Sequence, residues 1–429
     1  MGKFSGKKLL VLGSSVGSTE IVDYARREGA WVIVTDYLPT EKSAAKKLAD
    51  ETVMVSTIDV DALCALAEEK KIDGIFCGVS EMNLVSMEQV ARRLHLPCYF
   101  TKDQWNICQH KSRFKALCRE YGVPVPRDFT QAVKDGKLEA VSFPVIVKPV
   151  DSSAGRGIRI CHRAEEVKDA YDYALTFSPS KTVLVEEFVS GKNEITATYT
   201  LKDGEISLSC LKDKLISLDH ENITAQVDVL IAPSAFLPRY LEQVNEAVIR
   251  MLKGIGAKEG CVFIQGIADE ERFTFFEMGY RINGGSDYRL IAAENGINYL
   301  EMMVCHAITG KTEGFDLSLD DPYFRNHVLT FNMYIHGGTI GSMEGREAVA
   351  QIPNVLTCEY MRKVGDTVKE DNTLSQRGFR AVIRDGEIDA VKETITKIQQ
   401  AIRIRDVDGN DMLYKPFDVQ RLAERCIHS

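Results

Sequence analysis

The sequence predicts an α/β N-terminal domain with a parallel sheet, followed by a larger α+β region and a small β-rich C-terminal unit. Three observations carry this reading. Strands and helices of about 10–15 residues alternate over the first hundred positions, as right-handed βαβ crossovers require. A connector with two prolines, GVPVPRDF, then forces an extended segment, after which short strands and turns take over. Finally, 429 residues at roughly 100–200 per domain imply two to four compact units. The boundaries read as 1–105, 106–315 (with a lid subdomain at about 125–200) and 316–429.

In chain order, Leu9–Leu12, Trp31–Thr35, Val53–Ser56 and Ile75–Gly78 read as strands. Thr19–Glu28, Glu41–Asp50 and Asp59–Lys70 read as the helices between them. Gly13 and Gly17 in the first turn, GSSVGS, with Asp36 ending the second strand, resemble a dinucleotide fingerprint. The middle glycine of that pattern is missing, so a tight turn that packs a helix on the sheet is the competing interpretation. A polar helix over Lys102–Tyr121 leads to the connector. Strands follow at Val145–Lys148, Gly157–Cys161, Thr182–Phe188, Glu194–Leu201, Glu205–Lys212, Cys261–Ala268 and Arg272–Gly279. Helices fit Ala164–Thr176, Pro238–Ile255 and Ser286–Thr309. The last hundred residues return to glycine-broken strands around one clear helix, Asp389–Ile402.

Composition narrows the function classes. Apolar residues make up 45% and charged residues 27%, the range of globular domains, which excludes disorder, collagen and coiled coil. With 53 basic against 62 acidic residues and a net charge of −9, no nucleic-acid partner is expected. Apolar runs such as Phe143–Val147 fall far short of the ~20 residues of a spanning helix, so no membrane partner is expected. The eleven cysteines are scattered, with neither a CxxC pair nor zinc-ligand spacing. They read as reduced, buried thiols, and a cytoplasmic location follows.

Three segments carry chemistry. In FPVIVKPVDSSAGRGIRI, a strand ends in Lys148 and a small-residue loop, Asp151–Gly157, leads to the next strand. Gly155 and Gly157 let the backbone approach a phosphate, and Lys148 supplies a fixed charge for it. A glycine hairpin with a surface lysine is the bland alternative. In VLVEEFVSGKNEITATYTL, the stretch Glu186–Val189 offers backbone groups to an adenine edge, and Glu194 suits a ribose; solvated acids on a strand turn are the alternative. In FIQGIADEERFTFFEMGYRINGGS, a hairpin brings Gln265 toward Glu277, and period two puts Phe275, Glu277, Gly279 and Arg281 on one side. One carboxylate, an amide oxygen and nucleotide phosphates are a common way to hold Mg²⁺. A buried Glu277–Arg281 ion pair is equally compatible with this segment.

In this order, with QHKSRFK before the connector and an acid–Arg–GG ending, the motifs resemble the ATP-grasp superfamily and its preceding α/β domain. The layout is similar to the biotin-carboxylase and carbamoyl-phosphate-synthase branch, and within it to single-copy carboxylate–amine ligases of the L-amino-acid ligase type. The resemblance implies an ADP-forming ligase that makes an amide or peptide bond through an acyl phosphate, using ATP and Mg²⁺, with Mn²⁺ as a substitute ion. It implies small-molecule carboxylate and amine substrates and, at family level only, a homodimer. By position it implies that Lys111 and Lys148 contact ATP phosphates under a loop containing Ser152, Ser153, Gly155 and Gly157. Glu186, Phe188 and Val189 would line the adenine, with Glu194 on the ribose. Gln265 and Glu277 would hold the metal, Arg281 would steady the acyl phosphate, and Lys212 would add charge. The pattern E-x-N-x-R departs at Gly279, for which Asn283 or water would substitute. Glu81 suits either an amino group or the start of a helix; Tyr288 and His336 are weaker candidates. The rival functions are bicarbonate activation of the carbamoyl-phosphate type and an ATP-binding regulator without turnover.

Overall fold

In the computed structural model, which describes residues 2–152, 156–189, 193–216, 226–269 and 271–425, the N-terminal part is a four-stranded sheet of order β3-β2-β1-β4. Its strands are β1 (Lys8–Leu12), β2 (Trp31–Thr35), β3 (Glu51–Val53) and β4 (Gly74–Cys77), all parallel. Helices α1 (Ser18–Arg27), α2 (Ala44–Leu48), α3 (Val60–Lys70) and α4 (Glu81–Leu94) make the crossovers. β1, β2 and β4 are buried almost throughout, as expected of parallel strands covered on both faces.

The expected helix over Lys102–Tyr121 is two helices, α5 (Lys102–Gln109) and α6 (Lys111–Tyr121). They meet at His110, whose backbone is extended (φ −96°, ψ 104°). The break lets Lys111 open a new helix instead of lying within one. After the connector, in the range expected for the lid subdomain, comes a small three-stranded antiparallel unit with its own core. It contains α7 (Thr130–Lys134), β5 (Val145–Pro149), β6 (Arg159–Cys161), α8 (Val167–Thr176) and β7 (Val183–Glu187). The strand order is β6-β5-β7.

The remainder is organised by one eight-stranded sheet, ordered β12-β11-β8-β9-β10-β13-β17-β15. Its first members are β8 (Glu194–Lys202), β9 (Glu205–Ile216), β10 (Val227–Ala232), β11 (Gly260–Ala268) and β12 (Phe273–Gly279). Helices α9 (Leu237–Tyr240), α10 (Glu246–Gly254), α11 (Asp287–Asn295) and α12 (Tyr299–Thr309) pack around it. The last two replace the single helix expected over Ser286–Thr309, and Gly296, in left-handed conformation at φ 75°, ends the first of them.

The C-terminal residues contribute β13 (His327–Tyr334), β14 (Gly338–Glu344), α13 (Arg346–Val349), β15 (Val355–Tyr360), β16 (Thr367–Val368), β17 (Arg377–Asp385), α14 (Ile388–Ala401) and β18 (Arg403–Asp406). β10 pairs with β13, so the boundary expected at 315–316 does not separate two sheets. The C-terminal part does keep its own apolar core. β10 had no counterpart among the expected strands.

Candidate active site

Register places the expected residues on one face of the large sheet. Residues opposite one another in antiparallel strands share a face. Glu277 pairs with Gln265, Gln265 with Thr196, and Thr196 with Lys212, so these four form a row across β12, β11, β8 and β9. A second row runs Glu194–Lys214–Leu230, and Lys214 Nζ lies 3.3 Å from Glu194 Oε2. A pocket of about 180 Å³ opens on this face, lined among others by Lys212, Lys214, Gln265, Glu277 and Arg281.

The β11–β12 hairpin brings Gln265 and Glu277 together as expected, but Phe275 is not beside them. The register slips between Gln265 and Gly266, whose partners are Glu277 and Phe275. Phe276 is therefore a bulge, and Phe275 turns to the opposite face. There it is buried, its ring stacked at 6.4 Å on Phe273. Gln265 Nε2 donates to Thr196 Oγ1 at 3.4 Å, which leaves the amide oxygen as the atom a cation would meet. Glu277 carries no hydrogen bond or ion pair among the described residues.

The cations converge from two other elements. Lys148, near the end of β5, lies 2.7 Å from Glu186 Oε2, and Lys115 on α6 pairs with the other carboxylate oxygen. Lys115, Lys148 and Glu186 are all buried. Burial pushes the Glu186 carboxyl up, but Lys148 and Lys115 outweigh it and hold the group below its usual range. Lys115 is pushed down to about 8 by burial and by Lys148, against Glu186. Lys111 has no ion-pair partner among the described residues; its Nζ donates only to the Ser152 carbonyl, at 3.4 Å. Burial and Lys148 lower its pKa, partly opposed by Glu277, Glu186 and Asp151. A desolvated ammonium held without a carboxylate favours an anionic ligand.

Several residues take roles other than those expected. Glu186, expected at the adenine, spends its carboxylate on Lys115 and Lys148. The Phe188 N–H, a candidate adenine donor, already donates to the Pro144 carbonyl at 3.0 Å. Val189 is the second residue after β7. Gly157 is a packing glycine: at φ 79° a Cβ would lie 2.8 Å from the Phe177 Cβ. Ser153 and Gly155 lie outside the described residues. Lys212 lies mid-strand and is paired with buried Asp287, which also accepts from Asn283 and, at 2.8 Å, from Thr198. Asn283 Oδ1 accepts from the Gly285 N–H at 3.0 Å, and its amide nitrogen is engaged with Asp287.

Gly279 has a physical reason. It faces Phe263 across the hairpin, and a Cβ there would lie 2.3 Å from the Phe263 ring. The same ring sits under Arg281, with the guanidinium carbon 5.0 Å from its centroid. Phe263 thus fills the room an Asn side chain would need and supports Arg281. Arg281 does not pair with Glu277; its Nη2 donates to Glu81 Oε1 at 2.9 Å. Ser80 precedes α4 without a side-chain cap, so Glu81 serves as a link from α4 to the site. Tyr288 donates to Glu20 at 2.9 Å. His336 lies beyond β13 against Tyr414 and Glu370.

Lys115 and Asp287 were not anticipated. Lys115 had a signal, since it sits one helical turn after Lys111; Asp287, the first residue of α11, meets Lys212 from a distant part of the chain.

Residues 110–317 match the family model described as carbamoyl-phosphate synthase L chain, ATP binding domain. The matched segment is just under half of the chain. The sequence is 30% identical over 200 residues to formate-dependent phosphoribosylglycinamide formyltransferase from Nostoc sp., covering 44% of this chain and 49% of that protein. The chain thus spans about half the length of the curated relatives it matches. A likeness of fold to solved structures extends over nearly the whole chain. L-amino acid ligase from Bacillus licheniformis superposes with a TM-score of 0.76 at 16% identity, covering 94% of this chain and 99% of that one. Phosphoribosylglycinamide synthetase from Anaerococcus prevotii superposes with a TM-score of 0.75 at 19% identity, covering 93% and 99%. No described helix is long and apolar enough to cross a membrane. Ten cysteines are free thiols, most of them buried; burial pushes Cys108 and Cys118 up to about 12.

Proposed function

We propose that the chain is an ATP- and Mg²⁺-dependent carboxylate–amine ligase that forms an amide through an acyl phosphate and releases ADP and phosphate. The observation that carries this is the opposition of two charge sets. Desolvated Lys111 and the Lys115–Glu186–Lys148 cluster face the row Glu277–Gln265–Thr196–Lys212, with Arg281 at its edge. Cations without enough acid partners suit a triphosphate, and the lone carboxylate with an amide oxygen suits its counter-ion.

In this reading Lys111 and Lys148 hold the phosphates, Glu194 and Val189 lie toward the nucleoside, and the loop at Ser152 closes over the nucleotide. Gln265 and Glu277 would hold Mg²⁺, whose chemistry is to neutralise charge on the transferring phosphoryl group; Mn²⁺ would fit the same oxygen donors. The carboxylate of the substrate attacks the γ-phosphorus, the bond to the ADP oxygen breaks, and the amine then displaces phosphate from the acyl carbon. Arg281, raised on Phe263, is placed to neutralise the oxygens that carry the developing charge. Exclusion of water by the lid protects the acyl phosphate from hydrolysis.

ADP release across a panel of carboxylates and amines, with and without Mg²⁺, tests the proposal. ADP that forms only when a carboxylate and an amine are both present supports it. ADP dependent on bicarbonate alone would favour carbamoyl-phosphate chemistry, and tight ATP binding without ADP from any pair would favour a regulator.

A further inference from the structure

The face that carries the pocket continues past it. Leu230, at the pocket wall, pairs with Thr330, and Thr330 with Val382; one step along, Asn332 pairs with Arg380, and Arg380 with Glu359. Arg380 is 7% exposed. Its hydrogen bonds are long, from Nε to Asn332 Oδ1 at 3.4 Å and from Nη2 to the carbonyl of Gly284 at 3.5 Å, and Gly284 itself lines the pocket. No carboxylate lies within ion-pair distance of Arg380 among the described residues.

Its charged surroundings are mostly of its own sign. Burial and Arg377 lower the guanidinium pKa to about 10, Arg289 adds to this, and Glu359 and Tyr334 oppose it. Arg377 Nε and Thr330 Oγ1 are buried without a hydrogen-bond partner. A buried cation that serves only the fold is normally paired, because leaving one unpaired out of water is strongly destabilising. The other buried cations here obey that rule: Lys115 and Lys148 share Glu186, Lys212 has Asp287, and Lys46 has Asp36. Arg380 is the buried arginine that breaks it, and it does so next to the pocket.

We propose that Arg380, with Thr330 beside it, binds a second anionic group of the substrate, a carboxylate or phosphate separate from the carboxylate that reacts. Arg380 is then a specificity-determining residue, and the substrate class narrows to acids with an additional oxyanion. The planar fork of arginine matches either group bidentately. The reaction assigned to that substrate rests on the ligase reading; the binding of the anion does not.

The test compares matched probes on the full chain with Mg²⁺ and a non-hydrolysable ATP analogue, by calorimetry. The pairs are glutamate against glutamine, succinate against succinamide, and phosphoserine against serine. At least one anionic member should bind about tenfold to a hundredfold tighter than its neutral partner, as for a charge-assisted bond. The pair that shows it separates carboxylate from phosphate. Arg380→Gln should erase the preference and leave binding of the ATP analogue unchanged, while Arg380→Lys keeps part of it. Should Arg380→Gln fail to fold, Thr330→Val must still weaken the preference. Absence of a preference in every pair, or its persistence in Arg380→Gln, would overturn the proposal. If the preference is present but no substrate yields ADP, the ligase reading fails and the anion site stands.

Discussion

The turn after β1 and the turn after β5 are both rich in glycine and serine, and both end a buried strand near a charged residue. In the first, the polar side chains are answered from within. Asp36 accepts from Leu38 N–H and Ser43 and lies 3.2 Å from buried Lys46. Ser14 and Ser18 accept backbone N–H groups, and the Asn83 amide occupies the space where a Cβ of Gly13 would sit. In the second, Asp151 anchors the loop through Ser178 and Ser180, but Lys111 is left with one long bond. Both stretches could cradle a phosphate by composition. Of the two, the turn after β5 brings the Ser152 carbonyl to Lys111, which has no ion-pair partner among the described residues, and the proposed nucleotide site rests on that difference.

The contrast can be broken most strongly at Glu277. Glu277→Ala should lower kcat by about a thousandfold, the scale for losing a group that acts on transition-state charge, with unchanged thermal unfolding. Full retained turnover would dissolve the site. The matching change at the other turn is Asp36→Asn, which leaves buried Lys46 without its carboxylate. It should cost about 3–5 kcal/mol of stability in urea unfolding, yet leave kcat and the KM for ATP unaltered. A large effect on ATP would restore nucleotide binding to the first turn.

Gly279→Asn comes next. The new side chain collides with the Phe263 ring and should cost about 1–3 kcal/mol. Phe263→Ala in the same chain should recover part of that loss, a coupling that a double-mutant cycle measures. The smallest effect concerns Lys115. Its folded pKa of about 8 lies below the ordinary lysine value of 10.5, so the protonated form costs stability below about pH 8. That cost is relieved as pH rises from about 8 toward 10.5. Over the same window the site loses a positive charge, so the Kd for ATP should rise by less than about tenfold. In Lys115→Met this part of the pH dependence should vanish.

How far the sequence disclosed this molecule depends on the range of each contact. The parallel N-terminal sheet and the Gln265–Glu277 pairing arise from neighbouring segments, and periodicity exposes both. The bulge at Phe276 does not show, because nothing in FTFFEMG marks a skipped pairing, so Phe275 was assigned the wrong face. The break at His110 carries neither proline nor glycine. The roles of Glu186 and Asp287 depend on α6 and α11 reaching strands far away in sequence. Gly279 looked like a lost ligand until Phe263, on the neighbouring strand, supplied its reason.

Isotope transfer tests carboxylate activation on this sheet face most directly. With a substrate whose carboxylate is labelled with oxygen-18, turnover with ATP, Mg²⁺ and the amine should place one labelled oxygen in the released phosphate, since the acyl phosphate passes that oxygen to phosphorus. Phosphate free of label, with ADP still produced, would contradict the mechanism.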